Sequence, residues 1–111
     1  MSATVGDTPV PQFVVESYDN FDSPNERCCT HEGVFDTVEE ALACARSIVE
    51  KSLMAVRQPN QSPVDWYKVY ALSGDGVYAY GTGFNPYTYA QERIQAITGV
   101  SVEGAWTQPH G

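Results

Sequence analysis

The segment between Asp36 and Pro59 constrains the fold of this chain more than any other. Asp36 and Thr37 each stand three residues before a glutamate, Glu39 or Glu40, which is the pattern of a capping box at a helix start. Val38, Ala41, Leu42, Ala45, Ile48, Val49, Leu53 and Val56 then recur at three-and-four spacing, with Glu39, Glu40, Arg46, Glu50 and Lys51 mainly on the rest of the wheel. Pro59 disfavours helical geometry at the residue before it. The spacing therefore predicts one long helix from Asp36 or Thr37 to about Arg57, burying Leu42, Ala45, Val49 and Leu53. A helix with a single apolar stripe must bury it against another element.

The rest of the chain supplies candidates for that element. Residues 13–18 are rich in β-formers, and residues 27–34 give a second strand beyond the polar turn 19–25, so the two read as a hairpin with a long loop. Ser62-Pro63 and Asn85-Pro86 each place a capping residue before a proline, which opens a helix without losing a needed N–H. The first of these helices ends before Gly74 and the second, carrying Tyr87, Ala90, Ile94 and Ile97 on one face, stops at Gly99. Between them residues 77–80 form a third strand bracketed by glycines. The order β-β-α-α-β-α predicts an α+β fold, a small mostly antiparallel three-stranded sheet with helices on one face. One domain is expected over residues 12–99, with an N-terminal arm at 1–11 and a C-terminal tail at 100–111.

Composition narrows the partners. With 111 residues, 42% hydrophobic and 18% charged, the chain is of globular type and long enough for one core. Fourteen acidic residues against six basic ones give a net charge of −8, and Arg27, Arg46, Lys51, Arg57, Lys68 and Arg93 are scattered rather than clustered. Polyanions and anionic lipid are held by concentrated positive charge, so neither nucleic acid nor a membrane surface is an expected partner. The start lacks a positive, apolar leader and no run reaches the length of a membrane span. Three cysteines, two of them the adjacent pair Cys28-Cys29, fit reduced thiols, and a cytoplasmic location is expected.

Asp19-Asn20-Phe21, the run from Gly33 to Ala41 and Tyr89-Ala90-Gln91-Glu92-Arg93, in that order, resemble a family of short uncharacterised bacterial proteins over roughly residues 13–98. The resemblance implies one compact domain and no particular activity.

Chemistry-bearing residues are sparse. Cys28, Cys29 and His31 are the nearest approach to a metal or nucleophile cluster, and they would carry the alternative reading of a small thiol, metal or hydrolytic enzyme. Alternation on a strand puts Cys29 and His31 on one face and Cys28 on the other, and vicinal cysteines lack the two-residue separation with which a thiolate pair grips one ion. Asp19, Asp22, Glu26 and Glu32 around the hairpin read as solvated charges. Asp75 between two glycines and Gly81-Thr82-Gly83 read as turns. No catalytic residue, metal ligand or cofactor is assigned.

The unusual feature is aromatic. Trp66, Tyr67, Tyr70, Tyr78, Tyr80, Phe84, Tyr87 and Tyr89 crowd one stretch. Trp66 with Tyr70 and Tyr78 with Tyr80 define two aromatic surfaces, and packing both into the core is the simpler reading. An exposed one would bind a partner, so Trp66, Tyr70, Tyr78, Tyr80 and Phe84 are the candidate partner-binding residues. The expected function is a non-enzymatic interaction module that self-associates as a homodimer or binds another protein. A small-molecule pocket lined by the tyrosines is a third possibility.

Overall fold

Thr37 lies in extended backbone and its hydroxyl accepts the Glu40 N–H at 3.1 Å, so the long helix α1 starts at Val38 and runs to Val56. Its far end is closed by the Trp66 indole, which donates to the Leu53 carbonyl at 2.9 Å. That carbonyl is one of the four a helix leaves without an internal partner. The other two expected caps form as well. Ser62 accepts the Asp65 N–H ahead of α2 (Pro63–Ser73), and Asn85 accepts the Tyr87 and Thr88 N–H groups ahead of α3 (Pro86–Thr98). Gly99 takes φ 77°, the left-handed geometry that ends α3. This computed structural model describes residues 12–21 and 29–102.

Three strands complete the α+β fold: β1 (Phe13–Asp19), β2 (Thr30–Phe35) and β3 (Asp75–Ala79). They lie in the order β2-β1-β3 with both pairings antiparallel. The chain thus enters the sheet at its centre, forms one edge, crosses the inner face through α1, continues through α2, which packs on α1 and α3, and returns as the other edge. Between β1 and β2 the register steps from Val15↔Gly33 to Glu16↔His31, leaving Glu32 as an extra bulged residue.

Register fixes which side chains face the helices. Phe13 and Val15 with Val77 and Ala79 point inward, and α1 packs across all three strands there. They join Ala41, Ala45, Val49 and Leu53 of α1, Trp66, Tyr70 and Ala71 of α2, and Ala90 and Ile94 of α3 in one core. Gly33 also faces inward, and a Cβ there would meet the Phe35 ring at 2.9 Å, so the glycine leaves room for that ring.

Four expectations need correction. Leu42 is only half-buried, because the stripe that meets the sheet runs through Ala41, Ala45, Val49 and Ser52, about one residue's rotation away. The third strand begins at Asp75 rather than Val77, since the Asp75 N–H donates to Ser52 Oγ at 2.7 Å and Gly76 pairs with Tyr18. Asp75 is therefore the start of a strand, not part of a turn. The core extends past residue 99, because the turn at Gly99 brings Val102 into it, fully buried. The second strand starts at Thr30 among the described residues, while Arg27 and Cys28 lie outside them.

Candidate functional site

Of the five candidate partner-binding residues, two belong to the interior. Trp66 is 2% exposed, bonded to Leu53 and covered by the Arg57 guanidinium, 4.5 Å above its ring. Tyr70 is fully buried, and its hydroxyl donates to the Asp75 carbonyl at 2.9 Å. Burial holds its phenol pKa far above the usual value, with nearby Tyr87 adding to the effect. Neither can touch a partner while the protein is folded, so the helical aromatic surface is core. Phe84 is half-buried on the helical layer, 5.7 Å from the Tyr89 ring, and does not share a surface with Tyr78 and Tyr80.

Tyr78 and Tyr80 do come together, on the face of the sheet turned away from the helices. Alternation puts Val14, Glu16 and Tyr18 of β1, His31 and Val34 of β2, and Gly76 and Tyr78 of β3 on this outer face. Tyr80 continues it one residue beyond β3, since its N–H donates to the Val14 carbonyl at 2.9 Å and extends the ladder. The rings of Tyr18 and Tyr78 lie 4.5 Å apart and those of Tyr78 and Tyr80 stack at 5.6 Å, giving an aromatic row. Gly76 makes the row possible: a Cβ at that position would collide with the Tyr18 ring. The Tyr80 hydroxyl donates to Glu16 Oε1 at 3.1 Å, and partial desolvation together with that carboxylate raises its pKa. At 49% and 45% exposure, Tyr80 and Val34 are the apolar side chains this face offers to solvent.

Reading the sequence for aromatic clusters missed Val14, Tyr18 and Val34, which complete the face, Tyr18 as a buried ring beneath Tyr78 rather than an exposed one. The signal was present in β1, where Val14 and Tyr18 alternate with Phe13 and Val15: a strand with one solvated face would show polar residues at those positions.

The thiol and carboxylate candidates do not converge. Cys29 is exposed just before β2, and His31 is exposed on the outer face opposite Glu16, while Cys28, Asp22 and Glu26 lie outside the described residues. Among the described residues no group of three or more His, Cys, Asp or Glu side chains could hold a metal ion. Cys44 is half-buried, and desolvation, with Glu32 adding, pushes its thiol pKa up. Glu32 accepts the Ser17 hydroxyl at 2.6 Å and lines a depression of about 460 Å³ with Lys51, Ser52 and Asp75. Desolvation, with Asp19 and Glu32 adding, raises the Asp75 carboxyl pKa there. Ser52 already accepts the Asp75 N–H, and the hydroxyl that does meet a carboxylate in this depression is that of Ser17, on Glu32.

The outer face combines apolar area from Val14, Val34, Tyr78 and Tyr80 with the polar side chains of Glu16 and His31. Among the described residues no helix is long and apolar enough to cross a membrane. Comparison of the chain with protein-family models, with curated proteins and with solved structures finds no match.

Proposed function

We propose that the protein is a non-enzymatic interaction module that pairs reversibly with a second copy of itself through the outer face of its sheet. One observation carries this reading: among the described residues helices cover the sheet on one side only, and its other side presents Val14, Val34, Tyr78 and Tyr80 beside the polar pair Glu16 and His31. Tyrosine is enriched at interfaces because its ring contributes apolar area while its hydroxyl stays satisfied, as the Tyr80 hydroxyl is by Glu16. A second copy is the occupant argued for, since twofold pairing uses one patch twice.

Size sets the expected strength. Three strands of seven, six and five residues, about 4.8 Å apart and rising about 3.3 Å per residue, present roughly 300 Å². A stable complex buries about 800 Å² per partner. The pairing is accordingly weak and exchanging. Charge works the same way: two copies at −8 repel, and salt screens that repulsion beyond roughly 8 to 10 Å while leaving apolar contact intact.

Sedimentation equilibrium at low and at moderate salt tests the proposal. A concentration-dependent dimer that tightens with salt and disappears in Tyr80→Glu is expected. A strict monomer at high micromolar concentration in both salts overturns it.

A further inference from the structure

The helical layer carries a second feature, independent of the sheet face. A groove of about 790 Å³ runs between α1 and α3, lined by Arg46 of α1, by Phe84, and by Thr88, Tyr89, Glu92 and Arg93 of α3. Its volume lies within the roughly 300 to 1,000 Å³ of small-molecule sites.

Its charge is out of keeping with the rest of the chain. Arg46 and Arg93 are two of six basic residues in a protein of net charge −8. The Arg46 guanidinium lies 6.0 Å over the Tyr89 ring, and no carboxylate among the described residues forms an ion pair with it. Arg93 Nε is shut off from water without a hydrogen bond, 3.8 Å from Glu50 Oε2. The same Glu50 oxygen is already engaged by the Tyr89 hydroxyl. Each guanidinium has five N–H donors in a planar fork that matches a carboxylate, so both retain donors for a ligand. The N-terminus of α3 is not the attraction, because the Asn85 side chain occupies the N–H groups of Tyr87 and Thr88 at 2.9 and 3.2 Å.

The surroundings select among anions. Glu50 and Glu92 offset the two arginines, so the groove as a whole is near neutral and a dianion would meet more repulsion than a monoanion. Phe84 and Tyr89 give it an aromatic wall, their rings 5.7 Å apart. We infer that this groove binds a small aromatic carboxylate, its carboxylate held by Arg46 and Arg93 and its ring laid against Phe84 and Tyr89.

Amide and arginine side-chain NMR signals of the full chain, titrated separately with benzoate, benzyl alcohol and inorganic phosphate, test the inference. Saturable shifts confined to Arg46, residues 83–89 and Arg93 are expected with benzoate. Benzyl alcohol, which lacks the charge, and phosphate, which lacks the ring, should each bind at least about tenfold more weakly, as should benzoate to Arg46→Gln or Arg93→Gln, since a charge-assisted contact is worth about that factor. Both arginines are partly solvent-exposed, and an unchanged amide spectrum would confirm that the variants fold. Shifts that never saturate, shifts spread over the molecule, phosphate as tight as benzoate, or benzoate binding that survives both substitutions would each overturn it.

Discussion

Asn20 shows how much a single polar residue can do in a small domain. Buried at the end of β1, it donates from Nδ2 to the Tyr70 carbonyl at 3.0 Å and accepts the Tyr87 hydroxyl at 2.8 Å, while its backbone N–H donates to the Gly74 carbonyl at 2.9 Å. One side chain thus ties the central strand to the end of α2 and the start of α3. Asn20→Ala removes two hydrogen bonds and leaves the Tyr87 hydroxyl without its acceptor, so a loss of about 2 to 3 kcal/mol in denaturant unfolding is expected. Tyr87→Phe should cost about 1 kcal/mol, and less again once Asn20 is gone, because the two residues share one bond. Equal effects of Tyr87→Phe in both backgrounds would show that the bond contributes nothing. Gly74 makes a sterically opposite case: a Cβ there would meet Ser52 Oγ and the Tyr70 carbonyl, both at 2.8 Å, so Gly74→Ala should cost about 1 to 3 kcal/mol by overpacking. Asn20 was not legible in the sequence as a core residue. Within Asp19-Asn20-Phe21 it has the composition of a turn, and only the three-dimensional meeting of β1, α2 and α3 gives it its partners.

At the scale of elements, local chemistry was legible and orientation was less so. The three N-caps at Thr37, Ser62 and Asn85 form where short polar side chains precede helix formers, and Gly99 ends α3 where a left-handed residue is needed. Those signals reside in a few adjacent residues, so tertiary context has little to override. The buried face of α1 depends on what packs against it. A hydrophobicity pattern favours Leu42, but alanines at 41 and 45 sit under the sheet, where small side chains let helix and strands approach. Leu42→Ala is therefore expected to cost less than about 2 kcal/mol, below the 2 to 5 typical of a fully buried leucine. Ala45→Leu should cost more than Leu42→Ala, about 1 to 3 kcal/mol or above, because the extra atoms have no space to enter. Denaturant midpoints of the two variants decide between the orientations, and the reverse ranking would place Leu42 in the core. The start of β3 was hidden for a related reason: Gly74-Asp75-Gly76 has the composition of a turn, while Gly76 is in the strand to make room for Tyr18.

On the scale of the whole molecule, the aromatic stretch divides between two layers that sequence proximity could not separate. Trp66, Tyr67 and Tyr70 pack under the sheet, Tyr78 and Tyr80 lie above it, and Tyr89 closes against α1 through its bond to Glu50. This division has a consequence for pH. Desolvation raises the phenol pKa values of Tyr67 and Tyr70, and desolvation together with Glu50 lifts Tyr89 to about 12. An unfolded tyrosine ionises near pH 10. Below that pH both states hold the phenolic proton and the folded arrangement keeps its full stability. Above it the unfolded chain releases protons that the folded protein retains, so stability falls with rising pH, by linkage, from about pH 10 through the folded values. The core tyrosines should then ionise as the fold opens rather than before it. Phenolate absorbance and far-ultraviolet circular dichroism followed together between pH 9 and 13 provide the check. The expected record has an early absorbance phase from the more accessible rings without loss of helix, followed by a second phase coincident with loss of the helical signal. Tyr67→Phe should shrink the second phase and move the helical midpoint to higher pH, since it removes one proton released on unfolding. Complete ionisation of all seven tyrosines while the helices persist would mean that the rings assigned to the core are open to water.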